Sequence, residues 1–93
     1  MTEVVLYRRD GCHLCEEARA LLVALLGERA RAGLPSPPLV ERDIDADPAW
    51  QRAYFASIPV VEVGEHRLEL ATSPAKLRRL LATLDGASAG TPS

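Results

Sequence analysis

The sequence predicts an α/β fold in which helices flank a four-stranded mixed sheet, with the elements in the order βαβαββα. Three features of the 93-residue chain favour it. An apolar strand at residues 4–7 leads into a helix through a Cys-x-x-Cys turn, a second strand follows a helix-length crossover, and Gly-Glu at residues 64–65 joins two further strands. We assign residues 1–85 to one domain and residues 86–93 to a flexible C-terminal tail, because this Gly-, Ala- and Ser-rich end has nothing to pack.

The first half of the chain is predicted to form two strands joined by a helix. Residues 3–7 are rich in β-branched and aromatic side chains, as buried strands are. The helix over residues 12 to about 31 has one apolar face, formed by Leu14, Ala18, Leu21, Leu22 and Leu25. A Gly- and Pro-rich cluster at residues 33–38 ends it, and strand two follows at residues 39–44. Because the crossover has helix length, the two strands are expected to be parallel.

The second half is predicted to add a helix, a β-hairpin and a final helix. A capping residue followed by proline opens both helices, as Asp47-Pro48 and as Ser73-Pro74. Strands three and four are predicted at residues 58–63 and 66–70. The apolar stripe of the last helix consists of Leu77, Leu80, Leu81 and Leu84. The complete order is that of a thioredoxin-like fold.

Composition and charge exclude several classes of function. The formal net charge of −2 offers no attraction for nucleic acid or for an anionic membrane. The longest apolar run, residues 20–26, is too short to span a bilayer, and residues 1–3 begin no secretory signal peptide. We therefore expect a cytoplasmic protein, and we take a monomer as the default oligomeric state. In that reducing compartment a cysteine pair is more often catalytic than structural.

The chemistry of the chain is expected at Cys12 and Cys15, its only cysteines. Their spacing places both sulfurs on one side of the first helical turn, close enough to form a disulfide. Cys12 opens the helix, where free backbone N–H groups and the helix dipole stabilise a thiolate. Arg8, Arg9 and His13 lie beside it in the sequence and are expected to add positive charge. We therefore expect Cys12 to attack a substrate disulfide and Cys15 to resolve the mixed disulfide.

Other interpretations of the cysteine pair stay open at this point. A zinc site would need further ligands, and the chain has no second Cys-x-x-Cys and only His66 besides His13. A structural disulfide across so short a loop would constrain the unfolded chain little. An iron–sulfur or zinc module completed by a partner chain or glutathione is another candidate, as is an adaptor whose cysteines are idle. The βαβ pattern around the pair favours the redox interpretation, without a resident metal.

Three segments resemble glutaredoxins, and more narrowly the small glutaredoxin-like domains of bacteria: residues 6–15, 43–45 and 58–60. The resemblance spans roughly residues 3–84. It implies that Cys12 is the nucleophile, that Cys15 is the resolving thiol, and that Arg9 replaces a lysine that glutaredoxins carry near the thiolate. It also implies that Ile58-Pro59 is a cis-proline pair lying against the disulfide, where the backbone of the preceding residue binds the substrate.

The sequence departs from the glutaredoxin pattern at two places. The pair between the cysteines is His13-Leu14, where glutaredoxins commonly carry Pro-Tyr. The glycine pair and the acidic residues that hold the γ-glutamyl end of glutathione are replaced by residues 70–74. Thr72 and Ser73, at the start of the last helix, are the residues of this segment that could still bind a carboxylate.

Together these features predict a thiol–disulfide oxidoreductase acting on a protein or small-molecule disulfide. We expect no bound cofactor, with glutathione as a candidate co-substrate. The reductant would be glutathione or a flavoprotein of the thioredoxin-reductase type. The expected substrate-binding residues are Arg9, Ile58, Pro59, Thr72 and Ser73, and those expected to tune the thiolate are Arg8, Arg9 and His13.

Overall fold

The computed structural model describes residues 2–89 and has the predicted order of elements. The elements are β1 (Val4–Arg8), α1 (His13–Arg31), β2 (Leu39–Asp43), a 3₁₀ turn (Ile44–Ala46), α2 (Pro48–Tyr54), β3 (Val60–Val63), β4 (His66–Leu68) and α3 (Pro74–Ala89). The predicted fold class, a mixed four-stranded sheet flanked by helices, is confirmed. Within residues 2–89, no helix is both long and apolar enough to cross a membrane.

The four strands form one sheet in the order β2-β1-β3-β4. β1 is parallel to β2 and antiparallel to β3, as expected from the helix-length crossover between β1 and β2. β3 and β4 form the predicted hairpin, in which Val63 faces His66 across the turn. Gly64 occupies the left-handed region in this turn, with φ +60°, a conformation that glycine adopts without steric cost.

The two faces of the sheet carry different cores because successive side chains of β1 point in opposite directions. Val4 and Leu6 face α1 and α3 and contribute to the larger cluster, whose buried helix residues include Leu22, Leu77 and Leu81. The opposite face is covered by α2 and carries a smaller cluster of Val5, Tyr7, Ile44, Tyr54 and Val60. The sheet is therefore the middle layer of the molecule.

Aromatic contacts fix α2 to its face of the sheet. The ring centres of Tyr7 and Tyr54 lie 4.4 Å apart, and Trp50 packs edge-on against Tyr7 at 5.8 Å. The Tyr54 hydroxyl donates to a carboxylate oxygen of Glu62 at 3.3 Å. Burial, together with the nearby negative charge of Glu62, raises the pKa of Tyr54. A helix of seven residues depends on such contacts, since isolated helices of this length are unstable in water.

Both strands of the hairpin are shorter than the sequence predicts. β3 begins at Val60 instead of Ile58, because Pro59 has no N–H to donate to a neighbouring strand. β4 ends at Leu68 instead of Leu70, and Leu70 itself has a φ of +49°, which no strand residue adopts. Hydrogen bonding between β3 and β4 thus stops where the chain turns toward α3.

The last helix reaches into the segment predicted to be a tail, and the domain boundary at residue 85 stays a prediction. A flexible tail is predicted from residue 86, whereas α3 continues to Ala89. Adding residues to an existing helix requires no new nucleus, and alanine is the best helix former, so a single glycine at position 86 does not end α3. The last part of the predicted tail, residues 90–93, lies outside the described residues.

The predicted N-cap of α2 gives a stability prediction. Asp47 accepts a hydrogen bond from the N–H of Ala49 at 2.8 Å, with Pro48 at the first helical position. Replacing Asp47 by alanine leaves that N–H without its partner, so we expect the free energy of unfolding to fall by ~1 kcal/mol. Urea denaturation measures the change. Asp47→Asn keeps an acceptor and is the control, and an equal loss in both variants would contradict the capping role.

Candidate redox site

One edge of the sheet brings together the three segments that resemble glutaredoxins. In β1, Arg8 pairs with Asp43 of parallel β2, and Tyr7 pairs with Val60 of antiparallel β3. The turn after β1, the segment after β2 and the residues before β3 therefore all lie at this edge. Strand direction alone explains why residues so distant in the sequence become neighbours.

A tight turn connects β1 to the cysteine pair. The N–H of Cys12 donates to the carbonyl of Arg9 at 3.2 Å, and Gly11 within the turn has a φ of +78°, in the left-handed region that favours glycine. Cys12 is the N-cap of α1, and its Sγ accepts from the N–H of Cys15 at 3.2 Å. The sulfur of Cys12 thus occupies the position at which helix N–H groups stabilise negative charge.

The two cysteines form a disulfide, with their Cα atoms 5.2 Å apart. They differ in accessibility: Cys12 is half-buried, whereas Cys15 is only 2% exposed. An incoming sulfur can therefore reach Cys12 and not Cys15. Within residues 2–89, no group of three or more His, Cys, Asp or Glu side chains is arranged to hold a metal ion.

Arg9 lies at this edge but is paired with a carboxylate. Its Nη2 donates to Oδ1 of Asp45 at 2.9 Å, and its Nε lies 3.2 Å from both carboxylate oxygens. Gln51 donates to the same Oδ1 at 2.8 Å. The hydrogen bond from Arg9 lowers the pKa of Asp45, and the same contact raises the pKa of Arg9. The positive charge of Arg9 is thus largely compensated within the protein.

Arg8 also faces carboxylates. It donates to Asp10 at 2.8 Å, and it lies 3.8 Å from Glu41 and 3.9 Å from Asp43. The hydrogen bond to Asp10 is the main reason that the pKa of Arg8 is raised. These anions weaken the field that Arg8 exerts on Cys12, so the thiolate-tuning role expected from the sequence stays a prediction.

The third residue expected to tune the thiolate, His13, extends into solvent. Its side chain is 85% exposed, and its Nε2 lies 3.3 Å from Oε2 of Glu17, one helical turn further on. An imidazolium here would face the Glu17 carboxylate, and solvent would screen the rest of its charge.

The Arg9–Asp45 ion pair should make the stability of the folded state depend on pH. Because Arg9 favours the ionised form of Asp45, the pair stabilises the folded state above about pH 3.9, the ordinary aspartate pKa, and that contribution disappears as the pH falls through the lowered pKa. We expect the NMR titration midpoint of the Asp45 carboxyl carbon to rise toward that ordinary value in Arg9→Gln. Arg8→Gln removes a neighbouring cation that does not contact Asp45, and is the control. An unchanged midpoint in Arg9→Gln would contradict the pairing.

The segment before β3 forms the second side of the site. The Ile58–Pro59 peptide bond is cis, as the resemblance to glutaredoxins implies, and Pro59 is buried. Two backbone hydrogen bonds join this segment to the loop after β4: Leu70 donates to the carbonyl of Ser57 at 2.9 Å, and Ala71 donates to that of Pro59 at 2.8 Å. These bonds fix the position of the loop in which glutaredoxins carry their glycine pair.

Leu70 adopts an unusual conformation in this loop. Its φ of +49° lies in the left-handed region, which a glycine would adopt without steric cost. The leucine side chain is exposed.

Thr72 and Ser73 lie at the start of α3, as predicted. The N–H of Thr72 donates to the carbonyl of Leu70 at 2.8 Å, and the Thr72 side chain is exposed. The Ser73 hydroxyl accepts from the N–H of Lys76 at 3.3 Å and therefore caps α3. Binding of a substrate carboxylate by this pair stays a prediction.

An open groove of about 530 Å³ beside Arg9 is absent from the sequence-based predictions. It is lined by Arg9, Gln51, Arg52 and Phe55. Phe55 follows the last residue of α2 and is 66% exposed. Asp45 is also absent from the predicted site residues, although Asp43-Ile44-Asp45 is one of the segments that resemble glutaredoxins. Its pairing with Arg9 spans 36 residues, and no local pattern reveals such a contact.

Comparisons with known proteins agree with this fold. The family described as "Glutaredoxin-like domain (DUF836)" matches residues 3–85. The chain is similar to a solved structure titled "X-ray structure of Northeast Structural Genomics target protein XcR50 from X. campestris", with 32% sequence identity and a TM-score of 0.65. That match covers 86% of this chain and 96% of the other. No protein with a curated description matches the sequence. Because the family match extends over nearly the whole chain, the protein belongs to the glutaredoxin-like domain family.

Proposed function

We propose that the protein is a thiol–disulfide oxidoreductase whose redox centre is the Cys12–Cys15 pair. The observation that carries this proposal is the disulfide at the N-terminus of α1, with one reachable sulfur and one that is buried. Membership of the glutaredoxin-like family supports it. We further propose that the protein acts as a cytoplasmic monomer, since reduced cysteine pairs in that compartment usually have catalytic or sensing roles.

The proposed reaction consists of two exchange steps. The Cys12 thiolate attacks one sulfur of a substrate disulfide, so that a mixed disulfide forms and the other substrate sulfur leaves as a thiolate. Deprotonated Cys15 then attacks Cys12 Sγ, which breaks the mixed disulfide and releases the second substrate thiolate. The substrate gains two electrons and takes up two protons, while the protein is oxidised to the Cys12–Cys15 disulfide. Glutathione or a flavoprotein reductase would return it to the dithiol.

The surroundings of Cys12 support its role as the attacking thiol. The N–H of Cys15 lies 3.2 Å from Cys12 Sγ, where it would donate to a thiolate, and the dipole of α1 has its positive end at this sulfur. Cys15 would gain access to the mixed disulfide from inside the protein, since its Cα lies 5.2 Å from that of Cys12. Ile58 and Pro59 would position the substrate backbone at the same edge of the sheet.

A redox titration tests the proposal. The protein is equilibrated in glutathione buffers of graded potential, free thiols are alkylated, and intact mass reports the number of labels. We expect a smooth passage from the unlabelled disulfide to the doubly labelled dithiol, which gives the midpoint potential. A persistent glutathione adduct on Cys12 would support glutathione as a co-substrate. No change across the cytosolic range of potentials would contradict the redox function.

His13 is proposed to tune the potential only weakly. A protonated imidazole stabilises the neighbouring thiolate and therefore the reduced form, which raises the midpoint potential. Because His13 is 85% exposed and faces Glu17, we expect His13→Ala to lower the midpoint potential by less than about 30 mV, or ~1.4 kcal/mol. Glu17→Gln removes the competing carboxylate and should raise the potential. Equal potentials for all three proteins would exclude tuning by His13.

A further inference from the structure

We infer that Asp45 determines substrate specificity by disfavouring disulfides that carry carboxylates, such as oxidised glutathione. The inference rests on the proposed function, since it concerns which disulfides Cys12 attacks. Its basis is that Asp45 already occupies two of the three polar side chains that line the groove, those of Arg9 and Gln51.

The contacts of Asp45 are those of a bound carboxylate. Arg9 donates to it through Nη2 at 2.9 Å and through Nε at 3.2 Å, and Gln51 adds a third donor at 2.8 Å. A guanidinium recognises carboxylate ligands through this same two-nitrogen geometry. An internal carboxylate in this place competes directly with one supplied by a substrate.

The backbone holds Asp45 in this position. The residue lies in the 3₁₀ turn after β2, and its N–H donates to the side chain of Asp43 at 2.9 Å. Asp43 in turn belongs to β2 and is paired with Arg8 of β1. The backbone that carries this carboxylate is therefore held in place by β2 and by the 3₁₀ turn that follows it.

The electrostatic consequence is a groove with reduced affinity for anions. Arg9 is the cation closest in sequence to the Cys12 turn, and the Cys12 N–H binds the Arg9 carbonyl. Arg52 also lines the groove, and it is the same in wild type and in the variants compared below. Neutralising Asp45 would thus leave about one unit of uncompensated positive charge on Arg9, three residues before Cys12, and such a charge accelerates association with anionic partners.

The test compares two disulfides that differ in charge. Reduced wild type and Asp45→Asn are mixed in a stopped-flow instrument at low salt with oxidised glutathione, which is anionic, or with 2-hydroxyethyl disulfide, which is neutral. We expect Asp45→Asn to raise the rate constant for oxidised glutathione roughly three- to tenfold and to change that for the neutral disulfide less than about twofold. The gain should shrink as salt is added. Any change in thiolate reactivity cancels in the ratio of the two rate constants.

Two further variants separate specificity from a general effect. Asp47→Asn makes the same change in charge two residues away without touching Arg9, and should raise the ratio much less than Asp45→Asn does. In an Arg9→Gln background, no guanidinium is available to bind a substrate carboxylate, so the gain from Asp45→Asn should shrink to the part caused by losing one negative charge.

The outcomes distinguish this inference from the proposed function. Equal gains for the two disulfides, no gain, or a gain that is undiminished in the Arg9→Gln background would overturn the role of Asp45 alone. If neither disulfide oxidises Cys12 in the wild-type protein, the proposed function fails and this inference fails with it.

Discussion

Replacing Cys12 by serine is expected to abolish disulfide exchange, whereas replacing Cys15 by serine is expected to trap the substrate on Cys12. The reason is the unequal position of the two sulfurs. Cys12 is half-buried at the N-cap of α1, and Cys15, within the first turn, is only 2% exposed. A serine hydroxyl does not replace a thiolate as a nucleophile toward sulfur, so the remaining buried thiol of Cys12→Ser has no access to substrate.

Mass spectrometry distinguishes the two variants. After incubation with a disulfide substrate, Cys15→Ser should carry one substrate-derived adduct that added dithiol removes, and Cys12→Ser should carry none. A protein that carries both Cys12→Ser and Cys15→Ser controls for substrate that stays bound without a covalent bond. An adduct on Cys12→Ser, or continued turnover by it, would mean that the roles of the two cysteines are reversed or shared.

Leu22→Ala is expected to cause the largest loss of stability among the substitutions considered. Leu22 is fully buried on α1 and belongs to the cluster that joins this helix to β1 and α3. Truncating such a side chain removes buried apolar area and leaves a cavity, which together cost about 2–5 kcal/mol. That is a large part of the ~5–15 kcal/mol by which domains of this kind are stable. Urea denaturation followed by circular dichroism measures the loss.

The adjacent residue provides a matched control. Val23 lies on the same helix but is 50% exposed, so Val23→Ala removes little buried area and gains helix propensity. We expect its free energy of unfolding to lie within ~0.5 kcal/mol of the wild-type value. Similar losses in both variants would contradict the assignment of this helix face to the core. The Cys12–Cys15 disulfide is kept oxidised in every sample so that it does not contribute to the difference.

Much of the fold could be predicted because the relevant interactions are local. The period of apolar residues along α1 and the cap-then-proline pair at Asp47 depend on residues within one or two turns. The Gly64 turn likewise depends on a backbone conformation that one residue type adopts easily. The parallel pairing of β1 and β2 follows from the length of the crossover alone.

The residues at which helices and strands end were less predictable, because they depend on contacts between segments that are distant in the sequence. β4 ends where Leu70 turns to donate to Ser57, thirteen residues earlier in the chain. Arg29 gives a further example. Its charge suits the C-terminus of a helix, yet the side chain is buried and binds Asp85 of α3 at 2.6 Å and the Pro35 carbonyl at 2.7 Å. The Pro35 carbonyl belongs to the loop directly after α1, but Asp85 is supplied only by the packing of α3 beside α1.

By itself, the sequence determined the βαβαββα order and the presence of a cysteine pair at a helix start, because both follow from periodicity and short spacing. The tertiary structure decided which charges surround that pair. Because β2 is parallel to β1, Asp45 lies at the same edge as Arg9, and the two side chains form an ion pair. The predicted influence of Arg9 on the thiolate stays a prediction. Electrostatic effects depend on distances between side chains that are far apart in the chain, and those distances exist only after the strands have paired.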